Sequence, residues 1–578
     1  MAKCKNKFEF LPTGSIRLQG EVGKALALST RNLIMKMDWK QLVEPFRGRW
    51  EQYSWCGEFW GKYLRGAIFA AYASRDPELI AVIRETVAEL LTTQDADGCI
   101  SSYALHCREQ AANVGWDLWG RKYVLLALTR YYQYIEADPK VLEACCRMVD
   151  DLMNTVGPGK IDILDTGTFA GMASTSILGA IVAVYRISGN TRYLDFAKWI
   201  VSRGAYKGRS IYQDVLDGVA PKDIGTGKAY EMTSCIMGLG ELCLECDDYA
   251  DAMEILMKYY RSVLEREICV TRLGGGVDAP GEYWNDSALK QNSTDFAVTG
   301  SQGETCLMVT WLHYLERIMR LSGDATVADE YEKTLYNGML GAMTPNGTNF
   351  THHNPTPLAG RCTKVPTSDQ MTTCFGFYFH EHDCCRANGH EGLATAVMLA
   401  VLKDAESGAP VFNLYEDMEV TVNNVAYTVS GGYPFAESGK VAIRLEMESP
   451  AEFSVKLRVP AGEQGAGFAS VNGDSYDGVP GSYLEIRRLW RSGDVISLNF
   501  DMAPRKCRLD TVPAANFYKC GPLVMAEDSR LAADMEWMLS IATCFRRTAA
   551  FDGKALCDYA SAGNNFNIYA NFQVIFDK

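Results

Sequence analysis

Between about residue 20 and residue 404, apolar positions recur every three to four residues, the period of helices that bury one face. The clearest case follows Asp76-Pro77-Glu78, where Leu79, Ile80, Ile83, Val87, Leu90 and Leu91 fall on one side of a helix. Asp76 suits the N-cap, and Pro77 suits the first turn, where its missing N–H leaves no bond unmade. Similar punctuation returns at Asp138-Pro139, Gly189-Asn190, Asp247-Asp248 and Gly323-Asp324, each time between two amphipathic stretches. A repeat of roughly sixty residues holds one helical hairpin. About a dozen helices in six hairpins close into a ring, each covering its neighbours, so the pattern predicts an (α/α)6 barrel over residues 1–404. The first twenty or so residues are assigned to pack on the unit that follows. An insertion from about Arg272 to Ser301, with Gly274-Gly275-Gly276, interrupts the pattern and marks a long loop at the barrel mouth.

From about residue 405 to the end at 578 the period falls to two. Val441, Ile443, Leu445 and Met447 alternate with Arg444, Glu446 and Glu448, Phe453, Val455, Leu457 and Val459 with Ser454, Lys456 and Arg458, and Ile496, Leu498 and Phe500 with Ser497 and Asn499. With turn pairs such as Asn472-Gly473 and Gly493-Asp494 between them, these are half-buried strands of a β-sandwich. The stretch from about 530 to 578 has no clear period.

Composition narrows the function classes. A formal charge of -14 without a clustered Lys/Arg surface argues against nucleic acid as a partner. No stretch is read as apolar enough to span a bilayer, and the N-terminus lacks the apolar run of a secretory leader, so a cytoplasmic setting is expected. In that setting the nineteen cysteines are free thiols or metal ligands.

Two cysteine doublets divide on their neighbours. Cys145-Cys146 sits among apolar helix positions and reads as packing. Cys384-Cys385 follows His380, Glu381, His382 and Asp383, a polar run costly to bury without a metal or hydrogen-bond partners. With Glu304 and Cys306 the second doublet offers the sulfur and carboxylate donors that zinc prefers, although the residue types alone favour packing over a metal site. Glu282 in a Gly-rich loop, Glu332 on a helix and the pair His352-His353 are compatible with roles in a site or with solvated and hydrogen-bonding positions.

Gly281-Glu282, Glu304-Thr305-Cys306, Glu332 with Leu335-Tyr336-Asn337, Asn354-Pro355 and Cys384-Cys385, in that order, resemble glycoside hydrolase family 127, known for β-L-arabinofuranosidases. Gly57-Glu58-Phe59-Trp60-Gly61-Lys62 and Val184-Tyr185-Arg186-Ile187-Ser188-Gly189 extend the resemblance upstream. The resemblance implies a zinc ion held by Glu304, Cys306, Cys384 and Cys385, Cys384 as nucleophile and Glu282 as acid/base. It further implies a carbohydrate substrate met by Glu332, with His382 near the nucleophile and His352 as a further contact. The family fold, an (α/α)6 barrel followed by a β-sandwich, is the one that the periods predict.

Departures bear on the sugar. The 22-residue spacing from Glu282 to Glu304 is longer than the resemblance implies. No histidine lies between His106 and His313, and where the family places sugar-binding histidines this chain has Lys228 and the segment Trp116-Asp117-Leu118-Trp119-Gly120-Arg121-Lys122. Lys228 and Trp116 are therefore taken as substrate-binding candidates. A cation there either pairs with Glu231 on its own helix or meets a carboxylate on the sugar, which would favour an acidic pentose-like residue over L-arabinofuranose. Two other classes compete: a zinc-stabilised carbohydrate-binding protein without activity, and an epimerase or lyase on the same barrel. The latter rely on histidine or tyrosine bases, and only seven histidines occur.

Overall fold

The computed structural model describes residues 3–577 apart from 53, 109–114, 276–281, 291–300, 357–382, 463–464, 510–514, 532–544 and 565–571. Much of the predicted mouth insertion thus lies outside the described residues, as does His382.

Among the described residues, six inner helices, Gly57–Ser74, Asp117–Tyr134, Leu178–Ser188, Ala229–Leu242, Thr305–Ser322 and Cys384–Ala394, each pack on the next, and the last returns to the first. Five outer helices, Pro77–Leu91, Pro139–Thr155, Thr191–Ser202, Ala252–Arg266 and Ala325–Thr334, follow their inner partners in sequence. The sixth outer place is filled out of order by Glu21–Asn32, which packs on Cys384–Ala394 and closes the ring.

The junction residues do the capping expected of them. Asp76, Asp138, Asn190 and Asp324 accept hydrogen bonds from the backbone N–H two residues on, at 2.9, 2.9, 3.2 and 2.9 Å. Asp247-Asp248 likewise lies between two helices, Ala229–Leu242 and Ala252–Arg266, but without a side-chain cap; the Asp248 carboxylate meets Lys198 at 2.6 Å.

Inner helices lack a polar face because both sides are covered, and Gly57–Ser74 is buried from Gly57 to Tyr72. Its close approach to Asp117–Tyr134 depends on small residues. A Cβ on Gly61 would lie 2.4 Å from the Tyr123 carbonyl oxygen, and Gly57 faces the Cα of Gly120. The segment 169–188 is long and apolar enough to cross a membrane, which corrects the expectation that no stretch is; here it is largely buried within the protein, and part of it forms an inner helix.

The β region begins at Val401, a few residues before the expected boundary, and is joined by the N-terminus. One sheet runs in the order 8–9, 401–404, 410–412, 451–459, 482–490, the other 474–476, 469–471, 495–499, 440–446, 425–430, 418–422, 16–18. The long pair 451–459 with 482–490 sets Val455 opposite Ile486, and Phe412 of the first sheet meets Tyr427 of the second at 5.5 Å across the sandwich. The segment that lacked a clear period joins a third sheet. Strands 504–508, 515–520, 523–528, 554–558 and 548–551 form its main path, with 572–573 and 575–577 alongside.

Barrel and β region are locked by buried polar bonds. Arg458 of the sandwich reaches Glu332 at 2.6 Å and also bonds Asp329. Asn337 accepts from Val524 N at 2.7 Å and donates to the Pro522 carbonyl at 3.0 Å. Leu335-Tyr336-Asn337 lies in a single π-helical turn, Leu335–Met339, which aims Asn337 at the third sheet.

Candidate active site

All the predicted ligands converge at the N-terminal ends of inner helices. Glu304 ends a short strand, Ser301–Glu304, paired with His353–Thr356, and Cys306 opens the helix that follows. Asn354 fixes this junction: its amide donates to Thr305 Oγ1 at 2.9 Å and to the Gly303 carbonyl at 3.2 Å, while its oxygen accepts from Thr351. The opposite pair is set by Asp383, the N-cap of Cys384–Ala394. Its Oδ1 accepts from Cys385 N at 2.8 Å and Arg386 N at 3.1 Å, and its Oδ2 meets His352 Nδ1 at 2.8 Å.

The resulting donors form a compact set. Glu304 Oε1 lies 3.6 Å from Cys384 Sγ and 3.4 Å from Cys385 Sγ, and the two sulfurs are 3.9 Å apart. Glu282, Glu304, Cys306 and Cys384 place ligand atoms within 4.8 Å of one another, and so do Glu304, His352, Cys384 and Cys385. A tetrahedral zinc with bonds of ~2.3 Å to sulfur and ~2.1 Å to oxygen has edges of about 3.8 and 3.6 Å. The observed separations match those edges, so the residues fit the metal that the resemblance implies.

Protonation supports the same conclusion. Burial pushes the Glu304 carboxyl up to about 8, and hydrogen bonding to Cys306 pushes the Cys384 thiol up to about 12. Burial also raises Cys306, but the neighbouring thiols and the Lys62 ammonium outweigh it and bring it down to about 7. A bound cation favours the ionised forms of such acids, so metal binding and their deprotonation would be coupled.

Two residues not assigned site roles in the sequence reading stand directly behind the cluster. Lys62, fully buried, donates to Glu58 at 2.8 Å and points at Cys306 Sγ at 3.9 Å. Glu58 also accepts from the Trp119 indole. Both lie in the Gly57–Lys62 motif, whose glycines permit the approach, but their partners are distant in sequence.

Glu282 reaches the cluster through backbone pairing of its loop with 227–229: its carbonyl accepts from Ala229 N at 2.9 Å, and Trp284 N donates to Gly227 at 2.9 Å. Its carboxylate is ion-paired to Lys228, which also stands 3.7 Å from Glu231. Lys228 therefore meets protein carboxylates. Arg121 likewise pairs with Asp117 at 2.8 Å and Asp151 at 2.9 Å. Trp116 belongs to an aromatic run beside the cluster, with ring centroids 5.8 Å from Trp55, 5.6 Å from Trp119 and 5.5 Å from Phe169.

Glu332 is the exception among the candidates. It is buried against Arg458 at the interface with the sandwich, and burial pushes its carboxyl up to about 7. The structure does not bring it to the cluster; a helix residue that by default faces water faces another domain here.

Two family profiles match the chain: the β-L-arabinofuranosidase GH127 catalytic domain over residues 23–397, and the GH127 middle domain over residues 411–502. A non-reducing end β-L-arabinofuranosidase from Bifidobacterium longum subsp. longum is 22% identical over 451 residues, 71% of this chain and 65% of that protein, so the match spans just under two thirds of that relative. A solved GH127 β-arabinofuranosidase aligns with a TM-score of 0.76 at 18% identity, covering 99% of this chain and 98% of the other. The GH127 β-L-arabinofuranosidase from Geobacillus stearothermophilus T6 aligns at 0.71 and 16%, covering 97% and 99%. At these identities the structural likeness establishes the fold.

Proposed function

Since the chain belongs to the GH127 β-L-arabinofuranosidase family of glycoside hydrolases, we propose that it is a retaining exo-acting hydrolase that releases an L-arabinofuranose-like sugar with Cys384 as nucleophile. The observation that carries this reading is the convergence of Cys384, Glu304, Cys306 and Glu282 in one cluster, with Glu304 and Cys306 buried and the other two half-buried. Glu304, Cys306, Cys384 and Cys385 would hold zinc. When bound, zinc keeps Cys384 a thiolate at neutral pH, so that no separate base is needed.

Cys384 Sγ then attacks the anomeric carbon as the glycosidic C–O bond breaks, and the Glu282 carboxyl gives its proton to the departing oxygen. In the second half Glu282 takes a proton from water, the water oxygen bonds the anomeric carbon, and the C–S bond breaks to return the thiolate. Two displacements at one carbon retain configuration. Lys228 stands between Glu282 and Glu231, two carboxylates for one ammonium, so the trio has room for the proton that the acid step spends. Trp116 and its aromatic neighbours would pack on the apolar face of the sugar or its aglycone.

Pairing of Lys228 with Glu282 removes it as a cation for an acidic sugar, which favours a neutral furanoside. The test is zinc content of the purified chain together with hydrolysis of matched neutral and carboxylated aryl glycosides. About one zinc per chain and faster turnover of the β-L-arabinofuranoside are expected. Metal without hydrolysis of any glycoside would point to a binding protein, and absence of zinc would remove the mechanism.

A further inference from the structure

Behind the cluster, Trp119, Tyr123 and Tyr230 form a layer that packs with Cys306 and Cys385 on one side. On the other side the barrel holds a chamber of about 690 Å³ that runs to the C-terminal ends of the inner helices. The N-terminal segment lies across its far end, where Cys4 N donates to the Cys243 carbonyl at 2.9 Å and Lys7 N to the Arg320 carbonyl at 2.7 Å. A volume of this size is in the range of small-ligand sites.

At the inner end of the chamber stands Lys122, 3% exposed. Its ammonium donates to Ser176 Oγ at 3.2 Å and lies 3.5 Å from the Trp119 ring centroid. Every other buried lysine or arginine among the described residues has a carboxylate within 4 Å; Lys62 has Glu58, Arg65 has Glu391 and Arg317 has Glu241, for example. Lys122 has none. The neighbouring carboxylate, Glu231, lies beyond ion-pair distance of Lys122 and shares Lys228 with Glu282. Beyond the Ser176 hydroxyl the Lys122 ammonium meets ring faces, with Tyr123 at 4.7 Å and Tyr230 at 5.7 Å besides Trp119. Such burial is costly, and it is the main cause that brings the group down to about 7, against the opposing charge of Glu231. Two further donors on the chamber wall, Arg65 Nε and Arg317 Nε, are buried without a hydrogen-bond partner.

We propose that the chamber is a binding site for a compact oxyanion, a small carboxylate or inorganic phosphate, whose charge is met by Lys122. The site is separate from the zinc cluster and does not rest on the glycosidase reading. In the full zinc-loaded chain, titration with sodium phosphate and separately with sodium succinate, at ionic strength held with sodium chloride, should give saturable heat and a rise in Tm for at least one probe. Binding should weaken at least tenfold in Lys122→Met and persist in Lys122→Arg; if the methionine variant does not fold, Lys122→Gln carries the same comparison. Phosphate binding alone identifies an inorganic anion, and succinate binding alone identifies a carboxylate. No saturable binding of either probe, or equal binding by the neutral variant, would overturn the proposal and leave a water-filled chamber with a neutral amine.

Discussion

The two ends of the barrel are built from the same six inner helices but carry different chemistry. At their N-terminal ends stand Glu304, Cys306, Cys384 and Cys385, acids that share too few cations. At their C-terminal ends stand Arg130, Arg186, Arg317 and Arg320, interleaved with Glu241 and Glu316. Helix N-termini favour negative groups and C-termini positive ones, so each end holds the charge that its backbone dipoles stabilise. The front gathers residues that could hold a metal, whereas the cations at the rear are paired with protein carboxylates. Cys384–Ala394 joins both, with the proposed nucleophile at one end and Glu391 near the other, where Glu391 meets Arg65 at 2.9 Å, His313 at 2.9 Å and Arg130 at 2.5 Å.

The largest effect expected is at the front. Cys384→Ser should fold and lose turnover by on the order of 10⁴-fold or more, as removal of a nucleophile does elsewhere. Steady-state rates on an aryl arabinofuranoside measure it; retention of more than a tenth of the rate would dismiss the covalent route. Glu282→Gln should follow, with a loss of roughly 10²–10⁴-fold on glycosides with poor leaving groups and far less on activated aryl glycosides. Equal losses on both classes would give Glu282 a structural role through its pairing with Lys228.

At the rear the same size of perturbation should read out as stability. Glu391→Gln leaves buried cations under-compensated and should cost about 3–5 kcal/mol in denaturant unfolding. Zinc content and turnover of the molecules that stay folded should be unchanged. Loss of metal in that variant would mean that the two ends are not independent. Lys62→Met tests the seam between them: removing the ammonium that faces Cys306 should lower zinc affinity by roughly 10–100-fold, the range for groups that support metal ligands. Competition with a chelator reads this directly, and unchanged affinity would make Lys62 a packing residue.

What the sequence disclosed follows the range of the interactions. Capping by Asp76, Asp138 and Asn190 is decided within two residues, and those junctions were legible. The strand period likewise located the sandwich, since alternation needs no knowledge of the partner strand. Closure of the ring by Glu21–Asn32 was not legible, because its partner lies at the other end of the barrel sequence. Lys228 shows both cases: its neighbour Glu231 was visible as a helix pair, while its closer partner Glu282 arrives on a distant loop. The setting of Glu332 was hidden for the same reason, as its partner Arg458 belongs to the next domain. The cluster itself was legible only through resemblance, since the residue types alone favoured packing over metal.

The smallest effect expected separates the two cysteine doublets, which are identical as dipeptides. Cys384-Cys385 opens an inner helix, where the N-cap Asp383 holds the first turn and both sulfurs lie within 3.6 Å of the Glu304 carboxylate. Cys145-Cys146 lies in the middle of the outer helix Pro139–Thr155, with Cys145 fully buried and Cys146 partly exposed. There burial pushes the Cys145 thiol out of the physiological range, and its neighbourhood is apolar, so it acts as a small hydrophobe. Cys146→Ser exchanges sulfur for oxygen at a partly exposed helix position and should change stability by no more than about 0.5 kcal/mol. Zinc content and turnover should match the parent chain. Cys385→Ser, made beside it, should instead lose metal, because a serine hydroxyl is a poor zinc ligand at neutral pH. If the two variants retain zinc equally, the second doublet is packing as well, and the match of its sulfur separations to a tetrahedral edge is coincidence.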